Sequence, residues 1–275
     1  MKNRIKNVAF IWITCALPVV MTGCSLQYEA DVQAKAAYFE ETSALEHKKE
    51  NIWNVKSYTE NIYSKIKPEQ LLAYVDAKCL VVDEQFEGAQ TINNYLLEYY
   101  EDRINEVRKQ AEEGDQMIQN ETFMGEYYYG YTSSDPQIGY LDDRWLSFYQ
   151  EDYFDWGGPH GMPYWISHTF DLQTGRQLGL RDIIQNSEEE LKDIVTKYFT
   201  ELIDQDSDAY WQDALTIVRE QTTLSSDFYL SEEGIHFYFA PYELACYASG
   251  FQEVTIPYDA FRLRAETAIT LKNLI

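Results

Sequence analysis

The chain has 275 residues, 45% of them hydrophobic and 25% charged, which is enough apolar content to build a core and excludes global disorder. Acidic residues outnumber basic ones 46 to 22, for a formal net charge of −24. Such a surface repels nucleic-acid phosphates and anionic lipid head groups, so neither nucleic-acid binding nor a polybasic membrane contact is expected, whereas cationic partners are drawn in.

The first 23 residues read as a cleaved export signal. Lys2, Arg4 and Lys6 give a basic start, and an apolar run follows from Val8 to Met21, broken only by Thr14 and Pro18. That run is shorter than the roughly 20 residues a membrane-spanning helix needs and has the length of a signal's apolar region. Met21-Thr22-Gly23-Cys24-Ser25 then places small residues before a cysteine, as at a bacterial lipoprotein cleavage site. Cys24 is therefore the expected lipidation site. The remainder is expected to work outside the cytoplasmic membrane, held there by its N-terminal lipid. Loss of Lys2, Arg4 and Lys6 would take the net charge from −24 to −27. Residues 24–51 are polar without a strong apolar stripe and read as a tether.

From Trp53 to Asp83 the pattern favours strands, with Pro68 marking a break between Val55–Ile66 and Leu71–Val82. Over Gln90–Glu113, Ile92, Leu96, Tyr100, Ile104, Val107 and Ala111 recur every three or four residues. This predicts a helix with one core-facing stripe, ended by Gly114. Phe123–His168 is aromatic and strand-like, with turns at Ser133–Pro136 and Asp142–Asp143, and Phe170–Leu178 reads as a tight reversal. Ser187 and Glu190 form a capping box opening a helix whose inner face is Leu191, Ile194, Val195, Tyr198 and Leu202. A second helix is predicted from about Asp208, with Trp211, Ala214, Leu215 and Val218 inward. Phe228–Leu230 and Ile235–Phe239 pair as a hairpin across Ser231–Gly234, Val254–Pro257 closes the sheet, and a terminal helix follows Arg262. Mixed and antiparallel strands packed with about three main helices, without regular βαβ alternation, predict an α+β fold. Its ectodomain divides into a smaller part at 52–119 and a larger part at 120–275.

Cys79 and Cys246 both stand in apolar surroundings, so a disulfide and two buried thiols both fit. Four scattered histidines form no His-Glu-x-x-His pair, and Asp204, Asp206 and Asp208 imitate a calcium loop only until Ala209 and Leu215. No metal, cofactor or catalytic residue is expected. Two segments stand out. Trp156-Gly157-Gly158-Pro159-His160-Gly161 lets the backbone turn sharply and either seats His160 structurally or presents it as a base. Pro241–Phe251 is rich in aromatic and small residues and reads either as a binding loop or as a packed corner.

Trp156–Gly161, Phe170–Leu178, Phe239–Gly250 and Thr255-Ile256-Pro257-Tyr258, in that order, resemble the extracytoplasmic domain of RsiV-type, lysozyme-sensing anti-sigma factors. A similar domain accompanies some bacterial peptidoglycan deacetylases. The resemblance covers about residues 120–262, and Cys246 stands where that domain often carries proline. It implies binding of lysozyme over its active cleft, and strongly basic lysozyme suits an acidic partner. No sigma factor is expected as a partner, because no anti-sigma segment precedes the export signal. Deacetylase chemistry would need an Asp-Asp pair and a His-x-x-x-His element, which these histidines do not supply. The expected function is thus that of a non-enzymatic, membrane-tethered lipoprotein of the bacterial envelope that binds a cationic protein or cell-wall glycan. Trp156, Gly157, Gly158, His160, Tyr242, Glu243, Tyr247 and Phe251 are the candidate binding residues. The competing expectation is an envelope hydrolase acting on peptidoglycan through His160 and a carboxylate.

Overall fold

The computed structural model describes residues 40–41, 52–121 and 128–271. The export signal, Cys24 and the expected tether, apart from residues 40–41, lie outside them. The fold is α+β: the described residues form a seven-stranded mixed sheet, a three-stranded antiparallel sheet and five α-helices.

The alternating patterns before residue 83 form β2 (Trp53–Tyr63) and β3 (Leu71–Val82), an antiparallel pair joined across the Pro68 turn, and β1 (Glu40–Glu41) adds to the edge of β2. The periodic segment forms α1 (Ala89–Gln119). Gly114 does not end this helix. It lies buried on the same stripe as Ile118, so the apolar period carries the helix through it. The far end of α1 is tied down by Asp115, whose carboxylate accepts from the Ser64 hydroxyl at 2.5 Å and the Lys65 N–H at 3.1 Å.

β4 (Tyr129–Ser133) then pairs in parallel with β3, so β3, α1 and β4 form one crossover unit. β5 (Gln137–Leu141), β6 (Trp145–Asp155) and β7 (Met162–Asp171) complete the large sheet. β4 and β5 lie along one edge of β6, and β7 lies along the other. The expected division near residue 120 falls within this crossover. Ile92, Leu96, Tyr100 and Val107 of α1 pack with Leu72, Leu80, Tyr131 and Phe148 of the sheet in one buried cluster. Each such side chain contributes about 1.5–3 kcal/mol by leaving water.

A short α2 (Leu180–Ile183) precedes α3 (Glu188–Ile203), which opens with the expected capping box: Glu190 N–H donates to the Ser187 hydroxyl, and Ser187 N–H donates to the Glu190 carboxylate at 2.7 Å. The next helix, α4 (Ala214–Gln221), starts later than the sequence predicts. Ser207–Ala209 is a separate 3-10 turn, and Trp211 is exposed rather than inward. Tyr210 bridges Ala245, and Trp211 N–H donates to Leu244 O at 2.9 Å, so this stretch is drawn out of helical conformation against the following loop. β8 (Tyr229–Leu230), β9 (Ile235–Phe239) and β10 (Gln252–Ile256) form the small sheet, and α5 (Ala265–Thr270) closes the described chain. Val195 and Phe199 of α3, Val218 of α4, Phe237 and Phe239 of β9 and Ile256 of β10 share the second buried cluster. The two sheets are stitched together by Leu230 N–H to the Ser147 hydroxyl at 2.8 Å and by the Tyr238 hydroxyl to Ser167 Oγ at 2.8 Å. Among the described residues no helix is long and apolar enough to cross a membrane.

Candidate functional site

The turn between β6 and β7 and the loop between β9 and β10 meet at one exposed edge. Their sequences explain how each reaches it. Gly157 has φ +69°, a conformation that a side chain resists, and its N–H donates to Asp155 Oδ1 at 2.9 Å, which tightens the turn. Gly161 is buried where a Cβ would lie 2.3 Å from Phe154 O, so only glycine lets the chain return to β7 so closely. In the other loop Glu243 N–H donates to Ala240 O at 3.1 Å, Pro241 occupies the second position and Tyr242 the third, with φ +73°. This is the arrangement of a type II turn, whose third position favours glycine. Tyr242 bears the left-handed conformation at a cost of about 1–2 kcal/mol. The turn is braced by Ala240 N–H donating to the Glu243 carboxylate at 2.5 Å.

Three rings converge where the loops meet. His160 stacks on Tyr247 with centroids 4.1 Å apart, Tyr242 lies 5.5 Å from Tyr247, and the Tyr242 hydroxyl is 3.3 Å from His160 Nε2. The Tyr247 hydroxyl donates to Gly161 O at 3.1 Å, and the Gly161 N–H donates to the Tyr153 hydroxyl at 2.8 Å. Trp211 braces the loop from outside, its indole N–H donating to Tyr242 O at 3.3 Å. His160, Tyr242 and Tyr247 are thus brought together. Trp156 is half exposed but packs on Phe154 and Tyr129 on its own side of the turn. Gly158 is exposed, with room beside it. Cys24 lies outside the described residues.

Phe251 and Glu243 belong to an adjoining groove of about 540 Å³ between β7 and the segments around β9. Trp165 and Tyr238 line it too, as does Asp227 from the segment after α4. Sequence reading missed these three. The run Met162-Pro163-Tyr164-Trp165, directly after the glycine turn, was the available signal.

The remaining titratable groups sort by burial. His168 is buried among the rings of Tyr95, Phe148 and Phe170, and burial pushes its imidazole down to about 4, leaving it neutral. Asp152 is fully buried. Burial pushes its carboxyl up to about 6, against the pull of hydroxyl donors from Tyr99 at 2.7 Å and Tyr131 at 3.0 Å and of the Arg103 charge. Cys79 and Cys246 are both free thiols. Cys79 is buried and pushed up to about 12, whereas Cys246 is exposed, contrary to a buried pair, and its hydrogen bond with the Ser249 hydroxyl lowers it.

His160 bonds to no carboxylate among the described residues. Its Nδ1 lies 2.9 Å from Gly161 O and its Nε2 faces Tyr242. A hydroxyl–imidazole–carboxylate line does occur elsewhere. Ser231 Oγ is 2.8 Å from His236 Nε2, and His236 Nδ1 is 2.9 Å from Glu253 Oε1. Yet Ser231 Oγ already accepts from Glu233 N–H at 3.0 Å, and exposed Glu232 and Glu233 follow it directly. An oxyanion forming there would meet negative charge rather than converging donors. The line instead fixes the β8–β9 turn.

Residues 181–259 match the family model described as "Protein of unknown function (DUF3298)". That segment runs from α2 to just beyond β10 and includes the whole small sheet. The chain also resembles a DUF3298-family protein from Bacteroides fragilis, at 19% identity and a TM-score of 0.58, over 86% of this chain and 99% of that one. A DUF3298-family protein from Pseudomonas aeruginosa aligns at 14% identity and a TM-score of 0.48, over 78% and 95%. The Bacteroides likeness shows a shared fold. No curated protein matches the chain.

Proposed function

We propose that this chain is a non-enzymatic binding module of the bacterial envelope, tethered to the membrane through a lipid on Cys24, and that its exposed aromatic edge takes a basic protein such as lysozyme. The observation that carries this reading is the stack of His160, Tyr242 and Tyr247 on a chain of net charge −24. Tyrosines half in contact and half in water are the usual anchors of a recognition surface, and the acidic body speeds the approach of a cationic partner. The resemblance to the RsiV-type domain points the same way. A hydrolase working through His160 has less support, since both ring nitrogens face neutral groups.

Calorimetry of the intact chain with hen lysozyme tests the proposal. Heat is expected at low salt, and affinity should fall as salt rises. Tyr242→Gly separates binding from folding. It relieves the left-handed strain, so the fold should be as stable or about 1 kcal/mol more so. Affinity should nevertheless drop at least about tenfold as the anchor is lost. No heat at low salt, or full affinity in the glycine variant, defeats the reading.

A further inference from the structure

The groove beside the aromatic edge has a chemistry of its own. At about 540 Å³ it falls in the size range of small-molecule sites. One wall is aromatic: Trp165 lies flat on Phe251, with centroids 4.3 Å apart and an interplanar angle of 14°, and exposed Tyr164 stands beside them. The stacked faces close on each other, and the exposed Tyr164 ring, with the Phe251 surface that lines the groove, offers aromatic area to a ligand. The rest of the lining mixes apolar side chains such as Phe237 and Phe239 with the polar Gln221, Ser226 and Asp227. Asp227 makes no hydrogen bond and no ion pair among the described residues, and Glu243 accepts only from the Ala240 N–H. Desolvation holds both carboxyls above their ordinary range. Among the described residues lining the groove there is no Lys, Arg or His. An exposed and a half-buried acid beside a groove whose lining carries no cation give it a negative potential that attracts an ammonium.

We propose that this groove binds a saccharide bearing free ammonium groups, an oligomer of unacetylated amino sugar. A ring face lies on the Tyr164 and Phe251 surface, and the ammonium groups are drawn to Asp227 and Glu243. The hydroxyls of a sugar also have a partner in the exposed Gln221 amide. Tyr242 lines both the groove and the three-ring edge, but the site goes beyond the basic-protein reading, because Trp165, Gln221 and Asp227 take no part in that edge.

Calorimetry of the intact chain with a glucosamine tetramer, the fully N-acetylated tetramer and tetralysine tests it. The glucosamine tetramer should bind, and the acetylated one should bind at least about tenfold more weakly, since acetylation removes the charge that the acids recognise. Tetralysine should also bind more weakly, lacking a ring face. Asp227→Asn is nearly isosteric at an exposed position and should cost about tenfold in affinity with an unchanged melting temperature. Phe251→Ala should weaken binding comparably. Equal affinity for the acetylated tetramer, tetralysine binding as tightly, an unaffected Asp227→Asn chain, or no binding at all overturns the proposal. Lysozyme titrated in parallel reads the aromatic edge, so either reading can fail while the other stands.

Discussion

Asp152 shows how a single residue sets a pH response. Its carboxyl is fully buried and pushed up to about 6, compared with an ordinary value of 3.8. The folded state therefore holds its proton at pH values where the unfolded chain has released it. The resulting stability is complete below about pH 4 and is lost as pH rises through 6, and it amounts to about 3 kcal/mol. Asp152→Asn keeps a side chain that can still bond Tyr99 and Tyr131 but removes the titration. Urea unfolding of both chains at pH 4.5 and 7.5 should show the wild type losing stability relative to the variant at the higher pH. A constant difference between the two would refute the assignment. None of this was legible in the sequence. Asp152 sits among many acids, and only the fold encloses it with two tyrosines from α1 and β4.

Elements shaped by local chemistry were the readable ones. The capping box of Ser187 and Glu190, the stripe of α1 and the hairpin across Ser231–Gly234 each depend on residues a few positions apart. The misreadings lay where a local signal met a longer-range one. Gly114 reads as a stop, but the stripe continues past it, and Trp211 reads as a helix-core residue until Leu244 and Ala245 claim its segment. The β6–β7 turn offers a test at this scale, because its glycines are not equivalent. An alanine at Gly161 would push its Cβ to 2.3 Å from Phe154 O and 2.6 Å from the Tyr153 ring, whereas at Gly158 nothing comes nearer than 3.7 Å. Gly161→Ala should cost about 1–3 kcal/mol and disturb the three-ring edge, and Gly158→Ala should leave both nearly unchanged. Thermal melts of the two variants compare them directly. Equal losses would mean that the turn has slack which its geometry denies.

At the scale of the molecule, the class of fold was readable from the sequence but the way its parts join was not. The parallel pairing of β3 with β4 is made across the whole of α1, and pairing between distant segments leaves no periodic trace. The same is true of the groove, whose walls come from two sheets and so have no common stretch of sequence. One consequence is open to measurement. A fragment beginning at residue 120 keeps β4 but loses β3 and α1, which stacks on the sheet. It should expose an unpaired edge and an apolar face, and it should aggregate or unfold, as light scattering and circular dichroism would reveal. A monomeric, cooperatively melting fragment would refute that. Tyr242 leads to a different kind of conclusion. Glycine would make the bend without left-handed strain, so the turn alone gives no reason for a bulky phenol in that position. What the strained ring gives in return is the stack it completes with His160 and Tyr247, and its exposed face is the surface that the proposed partner would press against.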